Sequence, residues 1–396
     1  MQVYLDNAAT TPLDKKVLRA MEPYMKDQYG NPSSFHFIGK QAADAIEQAR
    51  KSVADILHVR ADEIVFCSGG TESDNLALLG VARANQEKGK HVITTAVEHH
   101  AVLECTEQLE CEGFEVTYLK PDEYGQVSVK QVIDAVRDDT ILISIIYVNN
   151  EIGTINPIAE IGNAIQKLRQ EKGSVYPLFH SDACQATGYL DLNVERIHVD
   201  LLTLNGSKMY GPKGAGILYA KRGIKIAPLM FGGSQEKGLR PGTENVAGII
   251  GLAEALKIAQ KDRVKESERL CGLRDYLADG ILKTISKTRL NGHPENRLPN
   301  NVNISFMDIE GEALVLYLDA AGIYVSTGSA CTSASLDPSH VILALGLPFE
   351  AAHGSVRFSL GRSTTKKQID YVLKKLPDAV DKLRVLSPVN VDEKHF

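Results

Sequence analysis

Ile64-Val65-Phe66-Cys67-Ser68-Gly69-Gly70-Thr71-Glu72 joins an apolar run of strand length to a Ser-Gly-Gly-Thr-Glu step. The first four residues favour a pleated, buried strand, and the glycines then break it. A helix is expected to open at that step and run through Leu79. Working outward, His91–Thr95 reads as a second strand, about Ala101 to Cys111 as a helix, and Phe114–Leu119 as a third strand. Ile141–Val148 is apolar almost throughout, as a strand buried on both faces should be. Ile158–Gln170 reads as a helix, followed by strands at Leu178–Ser181 and Asp200–Leu204. This β/α alternation, from Asp62 to Ala220, predicts an α/β fold with a mostly parallel sheet covered by helices on both sides.

After Gly232-Gly233 the texture changes. A polar loop, Ser234–Asn245, leads into an apolar-periodic helix from Val246 to about Lys261, and a charged helical stretch continues to about Lys287. Short strands at Asn303–Phe306 and Val356–Phe358 precede a last helix from Lys366 to about Leu383. The chain of 396 residues exceeds one ordinary core, which predicts two units. The expected division is a large α/β domain over 15–260 and a smaller α+β domain made of 1–14 and 261–396.

Composition narrows the function classes. Hydrophobic residues at 43% and charged residues at 24% describe a globular chain. A net charge of −6 argues against nucleic acid or an anionic membrane as the main partner. No basic region followed by an apolar core opens the chain, and no apolar stretch has membrane-spanning length. Six cysteines, Cys67, Cys105, Cys111, Cys184, Cys271 and Cys331, show neither Cys-x-x-Cys nor metal-ligand spacing, so no resident metal is expected. Scattered thiols suit a reducing cytoplasm.

Several groups could do chemistry. Lys208 follows the strand ending at Leu204 and precedes a Gly/Pro-rich turn. An ammonium desolvated there loses basicity and supplies the free amine that a Schiff base with an aldehyde cofactor needs. A lysine at a strand end with its head group in water accounts for the same residues. Gly70 and Thr71 at a helix start suit a phosphate, or equally a plain cap. Asp182 lies at the carboxyl edge of its strand, where open α/β sheets bind ligands; it suits a pyridine nitrogen or a turn cap. His99, in Glu98-His99-His100, could stack on a ring or move protons. Arg357 could read a carboxylate through two hydrogen bonds, or form a structural ion pair. Cys331 sits in Ser326-Thr327-Gly328-Ser329-Ala330-Cys331-Thr332-Ser333-Ala334-Ser335, a small-residue run expected to be exposed and mobile, where a thiolate can act as a nucleophile.

Taken together these motifs resemble those of the NifS/IscS-type cysteine desulfurases, in the fold-type I, class V group of pyridoxal-phosphate enzymes. The resemblance spans nearly the whole chain. It rests on Tyr4-Leu5-Asp6-Asn7-Ala8-Ala9-Thr10-Thr11, Tyr29-Gly30-Asn31-Pro32-Ser33-Ser34, Gly70-Thr71-Glu72-Ser73-Asp74-Asn75, Glu98-His99 and Val148-Asn149-Asn150-Glu151-Ile152-Gly153. It continues through Asp182-Ala183-Cys184-Gln185, Lys208-Met209-Tyr210-Gly211-Pro212-Lys213-Gly214, Arg240-Pro241-Gly242-Thr243, Gly328-Ser329-Ala330-Cys331-Thr332-Ser333 and Arg357-Phe358-Ser359-Leu360-Gly361-Arg362.

The resemblance implies a large, mostly parallel sheet domain of the seven-stranded type and a small domain carrying the Cys331 segment. It implies pyridoxal 5'-phosphate linked to Lys208, with Asp182 on the pyridine nitrogen and His99 stacked on the ring and moving protons. Gln185 and Asn150 would surround the ring oxygen and the substrate. Gly70, Thr71, Asn205 and Ser207 would hold the phosphate, completed by Thr243 from the second subunit of a homodimer. Arg357 would take the carboxylate of L-cysteine. Cys331 would accept the substrate's sulfur as a persulfide, releasing L-alanine, and could serve as a transient iron–sulfur ligand. The sulfur would go to iron–sulfur cluster assembly or tRNA thiolation through an acceptor or scaffold protein. A selenocysteine lyase and a class V aminotransferase are the alternatives, and a non-catalytic sulfur-relay subunit is a third.

Two departures from the family pattern stand out. Where the family commonly has Ser-Gly-His-Lys, this chain has Asn205-Gly206-Ser207-Lys208, so Ser207 retains a hydroxyl for phosphate but supplies no imidazole. Leu383-Arg384-Val385-Leu386-Ser387-Pro388 resembles the scaffold-docking segment of housekeeping members, and the sequence stops soon afterwards at Phe396.

Overall fold

The strands of the computed structural model, which describes residues 1–328 and 338–387, are β1 (Val3–Tyr4), β2 (Ile64–Cys67), β3 (His91–Thr95), β4 (Glu115–Leu119), β5 (Thr140–Ser144), β6 (Leu178–Asp182), β7 (Leu201–Asn205), β8 (Gly216–Ala220), β9 (Thr288–Asn291), β10 (Asn301–Phe306), β11 (Ile323–Tyr324) and β12 (Ser355–Ser359). Seven of them form one sheet in the order β2-β8-β7-β6-β5-β3-β4. Only β8 runs against its neighbours β2 and β7, so the sheet is mostly parallel. β2, β3, β5 and β6 are buried at every position, as both faces of the sheet are covered. The fold is the α/β arrangement expected from the alternation.

Three local differences have physical causes. The helix opened by Gly70 continues past Leu79 to Asn85, widening into a π-turn over Leu76–Gly80. That apolar stretch is wholly buried, and packing outweighs the local ending signal. Of the expected Ile141–Val148 strand only the first four residues lie in the sheet, within β5 (Thr140–Ser144). Ile145 and Tyr147 still donate to the carbonyls of His180 and Asp182, at 3.1 and 2.9 Å. The chain therefore stays buried while it leaves the sheet and carries Asn149 and Asn150 over its carboxyl edge. Thirdly, the two helical stretches expected after Asn245 are one helix, Val246–Thr284, of 39 residues.

At 1.5 Å per residue that helix is about 58 Å long, long enough to serve two cores. Its first half packs Ile249, Leu252 and Leu256 against the core under the seven-stranded sheet. Its second half packs Leu270, Leu277 and Ile281 into a separate core. The charged stretch between, Lys261–Arg269, is mostly solvated. The second core lies beneath the antiparallel sheet β12-β10-β9 and includes Val3 and Leu5 from the N-terminus. β1 pairs with β11 in parallel, Val3 opposite Ile323, which fastens the first residues to the smaller unit. Among the described residues no helix is long and apolar enough to cross a membrane.

Candidate active site

The carboxyl ends of β2, β3, β5, β6 and β7 point to one edge of the sheet, and the segments leaving them converge there. Gly70 and Thr71 follow β2, His99 follows β3, and Asn150 follows β5. Asp182 ends β6, Asn205 ends β7, and Lys208 closes the 3₁₀ turn after it. All of these, with Gln185 and Arg357, line one cavity of about 190 Å³. Ala8, Ala9, Asp74, Ile146, Val148 and Cys184 complete its lining. Residues scattered over some 350 positions meet because parallel strands present successive loops on one edge.

Lys208 Nζ donates to the carbonyls of Ala8 and Ala9 at 2.9 and 2.7 Å, so the N-terminal segment positions the amine. Gln185 Nε2 donates to the same Ala8 carbonyl at 3.0 Å. Asn205 Oδ1 accepts the amide and hydroxyl of Ser207, both at 3.2 Å. The lysine is half-buried and tied down, rather than extended into water as the plain reading of the sequence allowed.

His99 caps the helix His100–Cys111: its Nδ1 accepts the Ala101 amide at 3.0 Å. In the neutral ring the proton therefore sits on Nε2. Burial holds the His99 pKa below the usual imidazole range, with the Asp182 carboxylate pulling the other way and Lys208 reinforcing burial. Asp182 is 5% exposed and accepts the Cys184 amide at 2.8 Å. Behind it lies a second carboxyl. Asp74 is 1% exposed, and its Oδ1 has no hydrogen-bond partner among the described residues. Burial, then the charge of Asp182, raises the Asp74 carboxyl well above the usual range. His180, beneath, is neutral: burial lowers its pKa to about 3. Its ring nitrogens pair with Ser144 Oγ at 2.9 Å and Thr203 Oγ1 at 3.0 Å.

Arg357 forms the structural ion pair its motif allowed, and it does so at the cavity. It lines the cavity, and Nη2 pairs with Asp6 Oδ1 at 3.0 Å while Nη1 donates to the Asn150 carbonyl at 3.0 Å. Its Nε is buried and has no hydrogen-bond partner among the described residues. Arg357 also forms an antiparallel bridge to Ser326, at the root of the Cys331 segment. The two described ends of that segment meet at Glu151. Ser339 Oγ donates to Glu151 Oε2 at 2.5 Å, and a Cβ at Gly328 would come 2.3 Å from the same oxygen. Cys331 itself lies outside the described residues, as does the C-terminal sequence after Ser387.

Two predicted residues stand apart from the lining. Ser207 reaches the cavity wall only through Asn205. Thr243 is exposed and absent from the lining of its own chain's cavity. Conversely, Asp74, Cys184, Ala8 and Ala9 line the site although no chemical role was read for them. Their signal was present, since all four lie inside quoted motifs, but backbone carbonyls and a neutral carboxyl leave no residue-type signature.

The chain belongs to the aminotransferase class-V family, which it matches over residues 3–372. Enzymes of this family work with pyridoxal 5'-phosphate. It is 53% identical over 391 residues to "Cysteine desulfurase IscS" of Methanosarcina thermophila, covering 99% of this chain and 95% of that one. Against the protein of the same name from Dictyoglomus turgidum it is 52% identical, covering 98% and 96%. Among solved structures it resembles a "NifS-like protein" with a TM-score of 0.89 at 37% identity, covering 97% of this chain and 100% of that one. It also resembles "SspA in complex with cysteine", with a TM-score of 0.77 at 37% identity, covering 91% and 99%.

The cavity fits such a cofactor. Gly69 contributes no capping side chain to the helix that starts at Gly70. A Cβ at Gly70 would sit 2.8 Å from Cys184 Sγ and 3.5 Å from Asn205 Nδ2, so the glycine leaves the helix start open to close backbone approach. A primary amine, a buried carboxylate and a neutral imidazole face the same space.

Proposed function

We propose that this chain is a cysteine desulfurase that converts L-cysteine to L-alanine and takes the sulfur onto Cys331. Bound pyridoxal 5'-phosphate supplies an electron sink for the substrate's Cα. Lys208, Asp182, His99, Gln185, Asn150, Asn205, Ser207, Gly70 and Thr71 hold it. Asp182 pairs with the pyridine nitrogen, and the neighbouring Asp74 carboxyl is pushed above the usual range by burial. His99, neutral by burial, stacks without adding positive charge and exposes an Nε2 proton. Arg357 receives the substrate carboxylate, with Asp6 and the Asn150 carbonyl fixing the guanidinium. In the net transfer the Cβ–S bond of cysteine breaks and a Cys331 Sγ–S bond forms. Each carbon and sulfur is then accounted for: one thiol and one cysteine become one persulfide and one alanine.

The observation that carries this reading is the meeting of Lys208, Asp182 and Arg357 in one cavity, with Gly328 and Ser339 bringing the Cys331 segment to Glu151 beside Asn150. A homodimer completes the site through Thr243, which is exposed and does not line the cavity of its own chain. Exposed Tyr29, Phe35, Phe37 and Phe231 favour such an association. The persulfide is passed to iron–sulfur cluster assembly or tRNA thiolation in the cytoplasm. In this reading 15–260 binds the cofactor, while 1–14 with 261–396 carries Arg357 and Cys331; the separate cores support the division.

The test is turnover of L-cysteine, L-selenocysteine and an amino acid/oxo-acid pair by the purified protein, with alanine and sulfide measured together. Cys331→Ala should abolish sulfide formation and leave the visible absorbance of the lysine-linked cofactor intact. Full desulfurase activity in that variant would remove Cys331 from the reaction.

A further inference from the structure

Residues 232–245 cross the sheet's free edge as an irregular segment, yet a buried ion pair grips them. Glu236, 9% exposed, accepts Arg50 Nη2 at 2.6 Å and Nη1 at 3.0 Å. Its Oε2 also accepts the amide of Phe66 at 2.9 Å. β2 is an edge strand, so this carboxylate takes the place of a neighbouring strand's carbonyl. Arg50 is anchored in turn by the Ile64 carbonyl at 2.9 Å and Glu47 at 2.9 Å, and it lies over the Phe66 ring at 4.8 Å. Glu236 and Lys237 have φ of 45° and 60°, a region that non-glycine residues enter at a cost. Such a conformation persists where surrounding contacts over-determine it.

The rest of the segment points to a use for that constraint. Gln235 Oε1 accepts the Gly242 amide at 3.1 Å, closing the segment on itself next to Thr243. Arg240 pairs at 3.1 Å with Glu72 in the first turn of the helix that opens at Gly70. Glu72 also accepts the Ser68 amide at 2.5 Å. The segment is thus fixed to β2 at one end and to the cradle helix at the other, with Thr243 exposed between these anchors and Asn245. A buried ion pair is weak support for stability, since apolar residues of equal volume often serve as well. What it secures is position.

We propose that the Arg50–Glu236 pair is a positioning device that fixes Thr243 for the phosphate site of a second copy of this chain, a role that rests on the homodimeric reading above. Its action is therefore in trans: breaking the pair in one protomer weakens cofactor binding in the other protomer's pocket.

Mixed dimers test this directly. Two differently tagged chains are co-expressed, and the dimer carrying both tags is isolated and stripped of cofactor. It is then titrated with pyridoxal 5'-phosphate while the absorbance of the lysine-linked form is followed. Lys208→Ala in one chain leaves a single pocket able to give that signal. With Glu236→Gln placed on the Lys208→Ala chain, the intact pocket is expected to bind about 10- to 100-fold more weakly. With Glu236→Gln on the other chain, binding is expected to be unchanged. Weakening in the second arrangement, or in neither, overturns the proposal. Thr243→Ala in the first arrangement separates the two ideas. If it weakens binding and Glu236→Gln does not, the positioning role alone falls. If it has no effect, or if no mixed dimer forms, the homodimeric reading falls and the proposal with it. Should Glu236→Gln not fold, Arg50→Lys, which keeps the charge and loses the fork, is read in the same way.

Discussion

Asp74 with Asp182 and Arg50 with Glu236 are both pairs of buried ionisable groups, and they are built on opposite principles. The first pair is two carboxyls, one of them with an oxygen that has no hydrogen-bond partner among the described residues, and a cavity beside them. It is tolerated because burial, and then the charge of Asp182, raise the Asp74 carboxyl well above the usual range, which disfavours a second charge beside the cavity. The second pair has opposite charges, and its carboxylate is satisfied by the guanidinium and by a backbone amide. In these two pairs, the oxygen without a partner sits beside the cavity, and the fully paired carboxylate sits where position is expected to matter.

The largest effect expected is at Asp182, in the first pair. Asp182→Ala should lower kcat for L-cysteine by about 10³-fold, about 4 kcal/mol of transition-state stabilisation, with the cofactor spectrum shifted. A small effect there would break the comparison at its centre. Next comes the opposite pair. Glu236→Leu alone should destabilise the protein by about 3 kcal/mol in denaturant unfolding, because it takes the two-pronged, buried partner from Arg50 and leaves only the exposed Glu47 carboxylate. Adding Arg50→Met should restore most of the loss, and a double variant no better than the single one would show that the pair is not a unit.

Arg357→Ala should raise the KM for L-cysteine by about 10- to 100-fold with a smaller change in kcat, measured by initial rates. Equal loss in both would make Arg357 chiefly a partner of Asp6. Stability against pH offers a fourth measurement, at Glu98. Burial raises its carboxyl from 4.5 to about 8. The native state then keeps a proton that the unfolded chain has released, so stability falls as pH rises between about 4.5 and 8. Glu98→Gln should flatten that part of the unfolding curve, and an unchanged slope would place the dependence elsewhere. The smallest effect is expected at Asp74, the other carboxyl of the first pair. Asp74→Asn keeps shape and charge, so kcat should stay within about threefold; a large loss would mean that Asp74 is ionised.

Much of the fold was legible because β2, β3, β5 and β6 are buried at every position, and stretches such as Ile64–Cys67 and Ile141–Ile143 read as apolar runs. The long helix was legible only in halves. Its charged middle, Lys261–Arg269, leaves one core before the other begins, and periodicity records burial rather than continuity. Within the cavity, Lys208, Asp182, His99 and Arg357 could be read from residue type and motif. The Ala8 and Ala9 carbonyls could not, since a carbonyl that receives a lysine looks like any other. The weight of Glu236 was hidden for a related reason: a glutamate in a polar loop reads as solvated until the fold brings Arg50 against it.

The sequence by itself determined the strand and helix order, the family, and the chemical types gathered at the site, because these depend on local pattern and side-chain identity. The tertiary structure decided which two carboxyls are buried together, what holds the lysine, and that residues 232–245 are clamped to β2. These depend on burial and on neighbours far apart in the chain, and no local pattern carries either.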